Sequence, residues 1–176
     1  MRALLLSLAM VVAAAGAAHA QDAPSTRIGV LLGARANVGA LGTRYAVGPM
    51  IGIEAGLMPT WFGVIWSLQW SFLPSTDARN VDDNLELFDL ELGARARLAM
   101  PGGLPGNLWT QLGFELLRAS VPLEPDLDTN YYGPTVRVGA ELVLSNVIVS
   151  LGTGYGLVGG GPSGLKIMLF VGIGGG

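Results

Sequence analysis

The stretch DLELGARARL holds the residues of this chain that come closest to a reactive group. Asp89 and Glu91 stand two positions apart, and Arg95 and Arg97 follow with the same spacing. Two carboxyl groups on one face can share a proton and carry out acid–base chemistry. The two nearby arginines oppose this use, because an adjacent cation holds a carboxylate in its ionised form. A catalytic carboxylate pair is therefore the weaker interpretation of the stretch, and a set of ion pairs is the stronger one.

The rest of the chain offers little for catalysis. It has no cysteine, and its single histidine, His19, lies in a segment that we expect to be removed. A chain without histidine or cysteine lacks thiolate and histidine-assisted nucleophiles, and it makes a poor zinc or copper site. The sequence therefore predicts no enzyme, no metal site and no cofactor. A formal net charge of −3 without a basic patch also predicts that nucleic acid is not a partner.

The first 20 residues resemble a secretory signal peptide. Arg2 provides the positive start, a long apolar stretch follows, and the small-x-small sequence Ala18-His19-Ala20 precedes Gln21. We therefore expect export through the Sec pathway, cleavage after Ala20, and a single domain over 21–176.

The composition restricts how the exported part can fold. Of the 176 residues, 51% are hydrophobic and only 13% are charged, and the mean hydropathy is +0.51. After residue 20, no apolar run approaches the ~20 residues that a membrane-spanning helix needs. Such a chain must bury its apolar atoms in a large core or present them to lipid on strands.

Alternation of apolar and polar residues predicts eight strands, separated by segments rich in Gly, Pro, Asn and Asp. They cover 27–38, 44–57, 61–73, 86–99, 107–119, 131–144, 147–158 and 165–174. Most reach the ~9–11 residues of a tilted membrane strand, whereas strands in soluble proteins average ~5–6. The longest links, PSTDARNVDDN and SVPLEPDLDTN, fall at the same end, and tight links such as MPT and SN fall at the other. Both features are typical of an up-and-down membrane barrel.

The two faces of the strands favour lipid over water as the surroundings. In the third strand, Phe62, Trp66 and Trp70 lie on one face, and Ser67 and Gln69 lie on the other. The polar faces are mostly glycine with a few charges, and the whole chain has one lysine. A soluble barrel would carry a charged outer surface instead. The sequence thus predicts an all-β fold, an eight-stranded antiparallel up-and-down transmembrane β-barrel, with a soluble secreted ligand-binding barrel as the alternative.

With its signal peptide, its eight-strand meander and its unequal links, the chain resembles the small outer-membrane barrels of Gram-negative bacteria. The group is that of the OmpA transmembrane domain and OmpX. The resemblance covers the whole chain after the signal peptide and is architectural, without a diagnostic motif. It implies a monomer in the outer membrane with a structural or interaction role. The implied partners are outer-membrane lipids, lipopolysaccharide and, during insertion, the barrel-assembly machinery.

Ten charged residues share the inward-facing parity of their strands. They are Arg35, Glu54, Asp89, Glu91, Arg95, Arg97, Glu115, Arg137, Glu141 and Lys166. An eight-stranded barrel is just wide enough for side chains to fill it, so these charges should pair with one another. We interpret them as a salt-bridge network that plugs the lumen. A narrow pore for small solutes, passing through the network, is the alternative. On the inward face of strand seven, Gly152, Gly154 and Gly156 should form a smooth wall that accommodates long side chains, with a small polar cavity as the second interpretation.

Other residues are predicted to mark the edges of the membrane. Aromatic side chains at strand ends suit the headgroup region. They are Tyr45, Trp61, Phe62, Phe72, Trp109, Tyr131 and Tyr132. By parity Arg118 faces lipid near the outer end of strand five, where a lipid phosphate is its natural partner. Leu85 and Leu87 do not share the parity of Phe88 and Leu90, which predicts a bulge or a strand that begins only near Phe88.

Overall fold

The computed structural model describes residues 25–38, 40–77, 84–101, 104, 106–120, 129–158 and 162–175. The predicted signal peptide lies outside these residues. In the described part of the chain, no helix is long and apolar enough to cross a membrane.

Eight antiparallel strands form a closed barrel in which each strand pairs with its neighbours in sequence and the last strand pairs with the first. The strands are β1 (Thr26–Asn37), β2 (Gly48–Leu57), β3 (Phe62–Leu73), β4 (Leu85–Ala99), β5 (Gly106–Ser120), β6 (Thr129–Leu144), β7 (Val147–Gly156) and β8 (Gly164–Gly175). The closing pair runs in register from Thr26 opposite Gly175 to Asn37 opposite Gly164. A closed ring leaves no strand edge unpaired. The predicted fold class, an all-β antiparallel barrel of eight strands, is confirmed.

The two ends of the barrel differ in their connections. At one end, where β1 begins and β8 ends, the links after β2, β4 and β6 are short; we call it the terminal end. The link after β6 is a two-residue turn, Ser145–Asn146, in which Ser145 has a φ of 59°. Left-handed backbone of this kind matches the twist of tight hairpins. The other end, which carries the longer links, is the loop end.

The second strand starts later than its alternation predicts. A single helical turn, α1 (Ala40–Arg44), occupies the start of the predicted strand, and β2 begins only at Gly48. Between them, Tyr45 forms an isolated bridge with Ser75. Parity counted back from β2 therefore does not hold for Tyr45.

Both predictions for the start of β4, a bulge and a strand that begins only near Phe88, are wrong, because β4 begins at Leu85. Register between β3 and β4 is unbroken from Leu73 opposite Leu85 to Phe62 opposite Ala96. Leu85 and Leu87 simply face the interior, as Asp89 does. The inward face is polar over most of β4 and apolar at its loop end.

The outer surface of the barrel is a continuous apolar wall. On β3, β4 and β5 its exposed side chains include Val64, Trp66, Trp70, Phe88, Leu90, Leu92, Leu108, Leu112, Phe114 and Leu116. An exposed apolar surface of this extent is foreign to soluble monomers, whose apolar patches are a few hundred Å². Such a surface is suited to contact with the hydrocarbon chains of lipids.

Candidate functional site in the barrel interior

The interior is filled by charged side chains from six of the eight strands, each no more than 3% exposed. They are Arg27, Arg35, Glu54, Asp89, Glu91, Arg95, Arg97, Glu115, Arg137, Glu141 and Lys166. The structure thus brings all ten predicted charges together and adds Arg27. Sequence reasoning omitted Arg27, although it shares the inward parity of Arg35 on β1.

Nearest the loop end, Lys166 is the centre of what we call the loop-side network. Its Nζ donates to Glu115 Oε2 at 2.7 Å and also to Asp89 Oδ2, and it lies 3.8 Å from Glu91 Oε2. Arg35 Nη1 contacts the same Asp89 oxygen at 3.3 Å. One ammonium group thus lies among three carboxylates that would otherwise repel one another, and Arg35 and Arg137 add positive charge beside Asp89 and Glu91.

Closer to the terminal end, Glu54 and Glu141 are the acceptors of a terminal-side network. Arg27 joins them, with Nη2 3.0 Å from Glu54 Oε1 and Nη1 donating to Glu141 Oε2 at 2.7 Å. Arg95 Nη2 donates to Glu54 Oε2 at 3.0 Å, and its Nε donates to Gln111 Oε1, also at 3.0 Å. Arg97 Nη1 lies 3.6 Å from Glu141 Oε1, and Arg97 Nη2 donates to a backbone carbonyl in the β2–β3 link. Arginine suits such positions, since its fork of donors can bind two acceptors at once.

Arg137 connects the two networks. Its Nη2 donates to Glu91 Oε2 and, at 3.2 Å, to Ser67 Oγ, while its Nη1 lies 3.7 Å from Glu54 Oε2. Glu91 in turn accepts hydrogen bonds from Gln111 at 2.8 Å and from Thr135 at 3.0 Å. The buried charges are thus held by a chain of contacts that crosses the barrel. Buried ions need such partners, because unpaired burial costs several kcal/mol for each ion.

The prediction that Trp109 belongs to an interface girdle is wrong. Its side chain is buried in the interior, where Nε1 donates to Ser150 Oγ at 2.9 Å. The guanidinium carbon of Arg95 lies 4.1 Å from the centre of the indole ring, in a cation–π contact. The available signal was parity, since Trp109 shares the inward face of Gln111 and Glu115.

Glycines in the wall make room for these large side chains. A Cβ built on Gly139 or on Gly152 would lie 2.5 or 2.6 Å from Trp109 Cζ2, and one on Gly154 would lie 2.7 Å from Arg137 Cγ. The two glycines beside the indole face each other across β6 and β7. Only a residue without Cβ permits this close approach. At these positions the wall is smooth because bulky side chains lie against it. For Gly152 and Gly154, the prediction of a smooth wall that accommodates long side chains is confirmed.

An apolar layer fills the interior at the loop end. Its buried members are Tyr45, Leu73, Leu85, Leu87, Leu117, Ala119 and Val158. The prediction that Tyr45 lies in the membrane interface is therefore wrong, because its ring is 2% exposed and packs inside the barrel. This layer separates the loop-side network from the loop end of the barrel.

Four of the other predicted interface aromatics lie at or near the outer surface: Phe62 and Tyr132 are exposed, and Trp61 and Phe72 are half-buried. Tyr131 is half-buried on the inward face of β6, opposite Leu117, where it packs against the apolar layer. Whether they contact lipid headgroups stays a prediction. Arg118 is exposed on the outward face of β5, two residues before the strand ends.

The interior has few chemical options. Oxygens of Asp89, Glu91 and Glu115 lie within 4.8 Å of one another, close enough in principle to share a metal ion. Lys166 already fills that role as a cation, because its ammonium contacts all three groups. Beside the terminal-side network, a cavity of about 10 Å³ is lined by Glu54, Arg95, Arg137 and other interior residues. That volume corresponds to roughly one water molecule.

Similar barrels occur among solved structures. Neisserial surface protein A superposes with a TM-score of 0.65 at 18% identity, over 85% of this chain and 97% of that one. The fold is that of the small outer-membrane β-barrels. The outer-membrane protein OprG of Pseudomonas aeruginosa gives 0.56 at 9% identity, over 87% of this chain and 94% of that one. Ail, the attachment invasion locus protein of Yersinia pestis, superposes with a TM-score of 0.54 at 12% identity, over 85% of this chain and 96% of that one.

Sequence comparison adds nothing to this likeness, because no family model and no curated protein matches the chain. At identities of 9–18% the likeness concerns the fold alone. The resemblance to the small outer-membrane barrels, which the sequence predicts from its strand pattern, is confirmed at that level.

Proposed function

We propose that the protein is a monomeric, non-enzymatic barrel of the bacterial outer membrane, with a structural or interaction role in the cell envelope. The observation that carries the proposal is the distribution of residue types across the wall. Apolar side chains such as Leu92 and Phe114 are exposed outside, and ion pairs such as Arg95–Glu54 are buried inside. A soluble ligand-binding barrel has the opposite arrangement.

In this proposal the ion pairs and the apolar layer close the lumen. The charges are neutralised by one another rather than by solute, and the cavity of about 10 Å³ has room for roughly one water molecule. A narrow pore fits this interior less well, because a conducting path would have to displace both the apolar layer and the paired charges. Lipids and lipopolysaccharide are the proposed surroundings, and insertion would depend on the barrel-assembly machinery.

Cell fractionation with electrophoresis tests the proposal. We expect the full chain in the outer-membrane fraction, extracted only by detergent, with a band that migrates differently when the sample is heated. A closed barrel resists detergent denaturation at room temperature because all its strands are paired. Recovery of the protein from the soluble periplasm, with one band regardless of heating, would disprove the membrane location.

A further inference from the structure

Arg118 lies at the loop end of a row of otherwise apolar side chains on the outward face of β5. Outward side chains of β5 are large and apolar at Leu112, Phe114 and Leu116, and the next outward position is Arg118. The other described arginines of the strands point into the barrel, and Arg44 belongs to α1. A cation on the lipid face is costly at the membrane midplane and costs little near the interface. Its position therefore marks the interface.

Polar and aromatic neighbours complete a surface patch around Arg118. Its cross-strand partners are Asn130 on β6 and Phe88 on β4, and both are exposed on the same outer wall. One step towards the membrane centre, Tyr132 is paired with Leu116 and is 68% exposed. The Tyr132 ring stacks on Phe114 with centroids 6.0 Å apart. In this patch, the hydrogen-bond donors of Arg118 and Asn130 lie nearer the loop end, and the apolar side chains of Leu116 and Phe114 lie nearer the membrane centre.

We propose that Arg118 and Asn130 bind the phosphate of a lipid headgroup, with the acyl chains of that lipid lying along Leu116, Phe114 and Tyr132. The inference rests on the proposed membrane location. A guanidinium group binds phosphate through paired charge-assisted hydrogen bonds. Arg118 also makes an interaction within the chain, and its five N–H donors allow a second acceptor beside the first.

Lipid retention measured by native mass spectrometry tests the site. The wild-type barrel, Arg118→Leu and Arg44→Leu are each purified in detergent and mixed with bisphosphorylated lipid A, phosphatidylglycerol or a phosphate-free diacyl glycolipid. Leucine continues the row of apolar side chains on β5, so Arg118→Leu should fold. Arg44→Leu is the matched control, because Arg44 is also exposed at the loop end but lies on α1.

We expect the wild type to retain the phosphorylated lipids in preference to the phosphate-free one. Arg118→Leu should lose about tenfold or more of that retention, the loss of one charge-assisted partner, and Arg44→Leu should retain it. Stronger retention of lipid A identifies an outer-leaflet glycolipid as the source of the phosphate, and stronger retention of phosphatidylglycerol identifies a phospholipid. Asn130→Ala, a second variant, should weaken retention in the same direction.

Equal retention by wild type and Arg118→Leu would overturn the site, and so would equal retention of the phosphate-free lipid by the wild type. Each sample is also tested for the band shift on heating and for insertion into vesicles. Failure of the wild type in those assays counts against the proposed function. Normal insertion with unchanged lipid retention counts against the lipid site alone.

Discussion

Among single residues, Arg95 has the most varied set of buried partners. It donates to Glu54 and to Gln111, both at 3.0 Å, and its guanidinium stacks on Trp109. Arg95→Ala would remove one of the two cations that lie 3.0 Å from Glu54 and would leave Arg27 at 3.0 Å and Arg137 at 3.7 Å. We expect the free energy of unfolding to fall by about 3 kcal/mol, as when a buried pair is broken. Asp77→Ala, at an exposed position, should change it by less than ~0.5 kcal/mol.

Urea titration of the folded barrel in lipid vesicles, with the heat-dependent band shift as readout, measures both effects. A second comparison measures the coupling between the two residues. Arg95→Met combined with Glu54→Leu should cost less than the sum of the two single changes, because the two side chains contact each other. Equal urea midpoints for Arg95→Ala and Asp77→Ala would show that the interior tolerates the loss of a partner, against a tightly paired network.

At the scale of the strands, the contact between β6, β7 and the indole of Trp109 offers a test of packing. Gly152→Ala would place a methyl group 2.6 Å from Trp109 Cζ2. The indole would have to move, which weakens its hydrogen bond to Ser150 and its contact with Arg95. We expect a loss of about 1–3 kcal/mol in the free energy of unfolding, the usual cost of overpacking. Urea midpoints and the near-ultraviolet circular dichroism of the indole should both change.

The control for that substitution is Gly175→Ala. A Cβ at Gly175 would meet Thr26 Oγ1 at 3.5 Å, an ordinary contact, so stability should hardly change. Combining Gly152→Ala with Trp109→Leu should cost less than the sum of the two single changes, because the smaller side chain removes the clash. Strict additivity would mean that the glycine is needed for another reason.

Alternation predicts the strands and their inward charges well, because strand parity is a local property that pairing preserves. Parity places Glu115 and Lys166 inside without any knowledge of their partners. It does not extend to Tyr45, because α1 interrupts the alternation before β2. The predictions for Trp109 and Leu87 are wrong for another reason: they assume that aromatic rings lie at interfaces and that the lumen is polar throughout. Which cation meets which carboxylate depends on the barrel's register, and strand parity alone does not give it.

For the whole molecule, the barrel is layered along its axis as well as across its wall. An apolar layer at the loop end lies above the loop-side network around Lys166, and Arg137 links this network to the terminal-side network around Glu54. The apolar layer disfavours the entry of ions, and the paired charges below it leave little room for solutes. The paired charges inside and the apolar side chains outside are the features on which the proposed structural or interaction role in the envelope rests.

The apolar exterior predicts that the cost of a charge depends on its depth in the membrane. Leu92 is 59% exposed near the middle of β4, and Leu144 is 55% exposed at the terminal end of β6. In lipid vesicles, Leu92→Arg should lower the free energy of unfolding by about 2–4 kcal/mol and Leu144→Arg by about 0–1 kcal/mol. Urea midpoints of the two variants in the same vesicles measure the difference. On a soluble barrel both positions would face water and accept arginine equally, so matching midpoints would place the outer wall in water.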